Sequence, residues 1–368
     1  MKIKNILALL CFLCIGVSCS MEDDILSGVD TKGPAGIDAT ELYASLDLSL
    51  LVGNSNVTTK SSELTGPTDG AEENMTKDER SVSDCYIAIF KYDSNTEKVG
   101  DFLTSYYSSN GSISESLIFK IPKDKSERTD LKIVVIANAA ASVSKYGLAS
   151  ASQISYADLK GKTLVEAPNI FVKVGETEIV KGDGGTYPDD KGGVYVNISE
   201  KILNLDQPAH TPVEIKLIQR TAAIVLQRFQ ILKSDGSAYD DVAITRLSLE
   251  NCKAIGKVAG EVSSGEQLYR EQSVDDNFTE CLYSYENTSI TQPTTLKIDY
   301  VYNNGETGSC SFPIKSRLNE TSDPSIAVWA GYLYKLEVTL RNAAVDVTVQ
   351  CVTQDWIFDK DHEFEFTF

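Results

Sequence analysis

The sequence predicts two antiparallel β-sandwiches in tandem, an all-β fold. Three observations predict it. Apolar and polar residues alternate with a period of two in one segment after another. Valine, isoleucine, threonine and 17 tyrosines favour strands over helices. Clusters of Gly, Asn, Asp and Pro separate the segments at the spacing of sandwiches, and 368 residues is a length for two domains.

The chain opens on an export signal over residues 1–18: a basic start (Lys2, Lys4), then an apolar run from Ile6 to Val17. That run falls short of the roughly 20 apolar residues that span a bilayer. The stretch Ile15-Gly16-Val17-Ser18-Cys19 resembles a bacterial lipobox, departing from it at Gly16. Cys19 is then the expected lipidation site, and residues 19–37 the lipidated flexible linker. One lipid anchor and a tether hold a domain on a membrane without any spanning helix.

Residues 38–208 are the expected N-terminal sandwich. Its first strand, 41–52, puts Leu42, Ala44, Leu46, Leu48, Leu50 and Val52 on one face and Ser45, Asp47 and Ser49 on the other. Residues 53–80 follow without periodicity, rich in Asn, Ser, Thr and Glu, with Lys60, Lys77 and Arg80 as their only basic residues. A stretch of that length inside a compact domain is often functional. Residues 86–92 (YIAIFKY) and 130–140 (DLKIVVIANAA) read as strands, the second buried on both faces. Residues 158–167 read as a short helix, and 181–193 (KGDGGTYPDDKGG) as a loop. Asp183, Asp189 and Asp190 lack the spacing of a calcium loop, so a turn is expected there, and no metal.

The polar stretch Asp206–Pro208 is the expected junction, with residues 209–368 as the C-terminal sandwich. Residues 211–231 join two strands or bend one long strand. Further strands are expected at 243–252, 295–302 and 331–341. The tail, 343–368, keeps a strand pattern to its last residue, although chain ends usually fray into small polar residues. Val345, Val347, Val349 and Cys351 share one face. Then the phase slips, and Val352, Trp356 and Phe358 take the other parity, which predicts two strand segments with a bulge or hinge near Cys351.

Composition excludes several functions. The net charge of −19, two units more negative once Lys2 and Lys4 leave, repels phosphate backbones and excludes nucleic acid as an expected partner. The chain has two histidines, His210 and His362, both among polar residues, and lacks GxSxG, HExxH, Walker and strand-to-helix GxGxxG motifs. No enzyme, cofactor or metal site is expected. Five cysteines lie outside the signal and Cys19: Cys85, Cys252, Cys281, Cys310 and Cys351. A disulfide among Cys252, Cys281 and Cys310 and buried free thiols are both open.

Taken in order, the lipobox with Cys19, the strand ATELYASLDLSLLV, RTDLKIVVIANAAAS (128–142), VEIKLIQRTAAIVLQRFQI (213–231) and the ending LYKLEVTL…VDVTVQCVTQDWIF resemble the fimbrillins of Bacteroidales, the major subunits of type V pili. The acidic residues after Cys19 resemble the signal that sends Bacteroidetes lipoproteins to the cell surface. The resemblance implies two transthyretin-like sandwiches, export as a lipoprotein to the outer membrane, and assembly with other copies into a surface fimbria. It implies a trypsin-like protease cutting after Lys60, Lys77 or Arg80 and releasing the first strand, with Leu42, Leu46, Leu48 and Leu50. The donor strand would be Val345 to Phe358 of the next copy. An accessory pilus protein (anchor or tip adhesin) and a glycan-binding surface lipoprotein are the alternative readings. Glycan binding needs aromatic platforms on an exposed face, and of the two tryptophans Trp356 falls in the expected donor strand and Trp329 precedes a strand.

Overall fold

The structure is a computed structural model that describes residues 42–46, 48–52, 55–57, 77–111, 117–164, 171–182, 194–198, 213–239, 241–260, 262, 268–273, 281–315, 327–341, 344–353 and 363–367. Cys19, Lys60, Asp183, Asp189, Asp190, Asp206–Pro208, the two histidines, Trp356 and Phe358 lie outside them.

Chain alternation builds the N-terminal half into β1 (Leu42–Leu46), β2 (Leu48–Val52), β3 (Ser55–Val57), β4 (Cys85–Asp93), β5 (Lys98–Ser108), β6 (Leu117–Ile121), β7 (Asp130–Ala137), β8 (Thr163–Leu164), β9 (Lys173–Ile179), β10 (Val194–Ile198) and β11 (Val213–Gln219). They form a three-stranded sheet, β10-β1-β6, facing a seven-stranded one, β3-β2-β11-β9-β7-β4-β5. The expected first strand is thus two strands in two sheets, broken at Asp47. Both halves bury the same parity into the layer between the sheets, where Ala44, Leu46, Leu48, Leu50 and Val52 meet Ile87, Phe119, Ile133, Val135 and Leu217.

β4 and β7 are buried on both faces, which the sequence predicts for β7. Their other face, with Tyr86, Phe90, Val134 and Ile136, packs under the short helices α2 (Ala140–Lys145) and α3 (Tyr156–Gly161). Helix α3 starts two residues before the expected 158–167 segment and ends sooner. Ser155 caps it by accepting from Asp158 N at 3.0 Å, and Lys162 is already extended.

The C-terminal half comprises β12 (Thr221–Leu232), β13 (Val242–Lys253), β14 (Gly256–Lys257), β15 (Leu268–Ser273), β16 (Leu282–Tyr285), β17 (Thr295–Tyr302), β18 (Thr307–Pro313), β19 (Tyr332–Arg341), β20 (Ala344–Thr353) and β21 (Glu363–Thr367). Two leaves, β18-β17-β13 and β16-β12-β19-β20-β21, enclose one core of Leu247, Leu249, Ile298, Phe312, Leu336 and Val338. Among the described residues a single pair, Lys253 with Tyr285, links β13 to β16.

Strand pairing changes partners at Arg220. β11 pairs with β2 and β9, whereas β12, one residue on, pairs with β16 and β19. The segment 213–219 therefore belongs to the first sandwich. Arg220 seals the turn: its Nε donates to Lys257 O at 3.1 Å, and its guanidinium lies 3.7 Å from Glu286. β8 and β14 pair across the joint, and Ala223 and Leu333 of the second sandwich complete the core of the first. Among the described strands the pairings are antiparallel, as expected, except β2 with β11 and β12 with β19, which are parallel.

Cys85, Cys252, Cys281 and Cys310 are free thiols. Burial drives the Cys85 thiol far up and pushes Cys252 and Cys310 to about 11. Of the two readings left open for Cys252, Cys281 and Cys310, thiols without a disulfide are what the structure holds.

Candidate functional site

β1 lies between two strands. It pairs with β10 from Leu42↔Ile198 to Leu46↔Val194 and with β6 from Leu42↔Ile121 to Leu46↔Leu117. A middle strand satisfies backbone groups on both neighbours, so taking it out exposes two facing rows of N–H and C=O groups. β2 continues the hold in the opposite sheet, parallel to β11 from Val213↔Leu48 to Leu217↔Val52. Leu46, Leu48 and Leu50 are buried, and Leu42 is half-buried against the same core. Each fully buried leucine of this kind contributes about 1.5–3 kcal/mol. The structure thus brings all four first-strand leucines into one groove floored by Phe119, Ile133 and Leu217.

The C-terminal end of the 53–80 segment is anchored. Helix α1 (Lys77–Arg80) carries Glu79, which is 1 % exposed, and Tyr283 of β16 donates its hydroxyl to Glu79 Oε1 at 2.9 Å. Ser81 O accepts from Lys173 Nζ at 3.0 Å. Arg80 is partly buried between these two fixed neighbours. Sequence reading missed Glu79, Lys173 and Tyr283, because nothing in their local pattern marks residues 204 positions apart as partners.

The tail lies elsewhere. β20 pairs antiparallel with β19 in unbroken register, from Ala344↔Arg341 to Thr353↔Tyr332, and β21 folds back on β20. Val345, Val347, Val349, Cys351 and Val352 therefore sit opposite Leu340, Val338, Leu336, Tyr334 and Leu333 of their own chain. β20 runs through Cys351 to Thr353 with no bulge, and the rest of the expected second segment lies outside the described residues. The structure does not bring tail and first-strand groove together within one chain.

No protein-family model matches this sequence, and no curated protein matches it. Solved structures do. A crystal structure of a candidate cell adhesion protein from Parabacteroides distasonis ATCC 8503 aligns over 84 % of this chain and 97 % of its own, with 14 % identity and a TM-score of 0.51. A second candidate cell adhesion protein from the same organism aligns over 84 % and 98 %, at 14 % identity and a TM-score of 0.50. The chain shares their fold. A fimbrial assembly protein from that organism aligns over 88 % of this chain and all of its own, at 15 % identity and a TM-score of 0.49.

Proposed function

We propose that this protein is a structural subunit of surface fimbriae that polymerises by donor-strand exchange. The observation that carries the proposal is the seat of β1, a middle strand that opens the described residues and is followed, after β2 and β3, by a segment with basic residues. Cutting that segment would release β1 and β2. The vacated groove would then take the C-terminal strand of another copy, whose backbone satisfies β6 and β10 and whose alternate side chains fill the leucine pockets. Self-pairing of β20 keeps the tail ordered in the monomer until a groove opens. Of the candidate sites, Arg80 is flanked by anchored residues on both sides, which counts against it and leaves Lys60 and Lys77. Export as a Cys19-acylated lipoprotein to the outer membrane, and then to the fimbria, completes the reading.

Gels run without boiling test it. Processed wild-type protein should give a ladder of polymers. Chains lacking 343–368, or with Lys60, Lys77 and Arg80 all replaced by Ala, should stay monomeric. A ladder from the tail-deleted chain would reject exchange through this terminus.

A further inference from the structure

β7 ends at Ala137, and Asn138 turns the chain with a φ of 59°, a left-handed conformation that Asn adopts more readily than most residues. Ala137 is paired with Lys173 across β7 and β9, so Asn138 and Lys173 approach from adjacent strands. Both are buried, Asn138 at 4 % and Lys173 at 0 % exposure. Asn138 Nδ2 donates to Ser81 O at 2.9 Å and to Phe171 O at 3.0 Å. Lys173 Nζ donates to the same two carbonyls, at 3.0 Å each. Amide nitrogen and amine are therefore neighbours held by shared acceptors. The amide oxygen is held separately, accepting from Ser83 N at 2.7 Å and from Ser83 Oγ at 3.1 Å. Ser83 Oγ also reaches Asp84 Oδ2 at 3.3 Å, and Asp84, 4 % exposed, accepts from Ala139 N at 2.9 Å.

We propose that Lys173 and Asn138 join in an intramolecular isopeptide bond that cross-links β9 to the turn after β7. The lone pair of Nζ attacks Cγ of Asn138, forming the new C–N bond while the carbonyl electrons move onto Oδ1. Ser83 N–H and Oγ–H already point at that oxygen and hold its charge, as pre-placed donors do in acyl transfer. The proton leaving Nζ moves to Nδ2, which donates to the same two carbonyls as Nζ. The Cγ–Nδ2 bond breaks, and ammonia departs. One amide replaces another, with no oxidant, cofactor or added energy source.

The environment meets the two chemical needs of this step. The amine must be uncharged to attack, and burial pulls Lys173 down to about 7, against the opposing charges of Glu79 and Asp84. Ser83 has one hydroxyl proton, and it is kept for Oδ1 when Asp84 Oδ2 brings a proton of its own to Ser83 Oγ; burial raises Asp84 despite hydrogen bonds from Ala139 and Ala140 N–H and Ser83. Fixed orientation on two strands removes most of the entropy that such an attack otherwise costs.

The reaction needs no polymerisation, so its test stands apart from fimbrial assembly. Intact-mass spectrometry of the folded, reduced full chain should read about 17 Da below the mass expected from its own termini, the ammonia lost. Tryptic digestion should yield residues 133–145 joined to 163–181, uncut after Lys173, because an acylated lysine is not a trypsin site. Lys173→Met and Asn138→Ala should each restore the calculated mass. Asp84→Ala, which keeps both reacting groups, should slow the loss. If a variant does not fold, the wild-type digest still decides. Free peptide 133–145 together with cleavage after Lys173 in folded wild-type protein would overturn the proposal.

Discussion

The two sandwiches open on the same plan and finish differently. Each sets its opening segment parallel to its closing strand, β2 against β11 in the first and β12 against β19 in the second. In the first sandwich the opening segment is also the middle of the smaller sheet, and Ala44, Leu46, Leu48, Leu50 and Val52 are buried along its length. In the second, burial of β12 fades after Ile224, and two further strands, β20 and β21, extend the sheet past β19. One domain therefore depends on a strand at its chain start, while the other carries strands beyond its own closure. Such asymmetry is what a chain needs to give a strand at one end and receive one at the other.

The largest expected effect comes from removing each end in turn. A chain lacking residues 42–52 should lose the cooperative unfolding of its first sandwich, while one lacking 343–368 should keep it. Thiols report this by domain, because Cys85 lies in the first core and Cys252 and Cys310 in the second. Without 42–52, Cys85 should alkylate rapidly at neutral pH while Cys252 and Cys310 stay protected. A synthetic peptide of residues 344–358 should restore protection of Cys85. Equal labelling of all three thiols would break the comparison, since the cores would then open together. Alkaline pH acts on the second core by a definite sign. Its thiols ionise near 9.0 when unfolded and about 11 when folded. The unfolded chain thus releases these protons first, and stability falls as pH rises from 9 to 11.

Single truncations come next. Leu46→Ala and Leu336→Ala each empty a fully buried site and should each cost about 2–5 kcal/mol in urea titrations. Their consequences should diverge when the 344–358 peptide is supplied. Leu46→Ala weakens the resident strand and should speed uptake of the peptide after processing, whereas Leu336→Ala should leave that rate alone. Matching rates would mean that the first strand does not control access to the groove.

How much of this was legible in the sequence follows from what a period of two can report. Alternation at Leu42–Val52 reveals the buried face, and the structure buries that face. It cannot reveal that the strand changes sheet at Asp47, because both halves bury the same parity. The apolar run of β7 likewise marked it as doubly covered, whereas the double burial of β4 was not read. Parallel pairing was hidden, since partners such as Leu50 and Ile215 are joined by no turn whose chemistry could be read. The sheet change at Arg220 was hidden for a related reason: 211–231 reads as strand throughout, and only long-range pairing divides it. The tail was visible as a strand, but alternation does not name its partner. The buried cluster around Lys173 was invisible, because Ser83, Asn138 and Lys173 are ordinary polar residues until three distant segments converge.

Backbone crowding gives a smaller contrast between the halves. A Cβ on Gly175 would lie 2.5 Å from Lys216 O, where β9 meets β11. Backbone cannot step aside there, so Gly175→Ala should cost roughly 1–3 kcal/mol or more, read as a lowered melting temperature of the first sandwich. A Cβ on Gly308 would meet the outer end of the Tyr300 ring at 2.4 Å. That ring sits at the rim of the second core and can swing, so Gly308→Ala should cost less than Gly175→Ala. The reverse order would mean that Tyr300 is held more firmly than the β9–β11 contact.

The smallest expected effect lies at the joint, where the comparison turns into coupling. Tyr283 reaches from β16 of the second sandwich to Glu79, at the end of the segment that follows the first strand. Tyr283→Phe removes only the hydroxyl, because the ring would keep its edge contact with Phe171, whose centroid is 5.5 Å away. Loss of one such hydrogen bond costs about 1 kcal/mol. Most of that should appear as interaction energy in a double-mutant cycle with Glu79→Gln, measured on the global unfolding transition. The cycle also separates two uses of Glu79. If the contact only packs the joint, Tyr283→Phe lowers stability and leaves proteolysis alone. If it anchors the end of the processing segment, the same variant lets a trypsin-like protease cut after Arg80 in the folded chain, a product that mass spectrometry identifies by its new terminus at Ser81. An unchanged cleavage pattern with zero coupling would leave the joint to Arg220, the β8–β14 pair and the shared core.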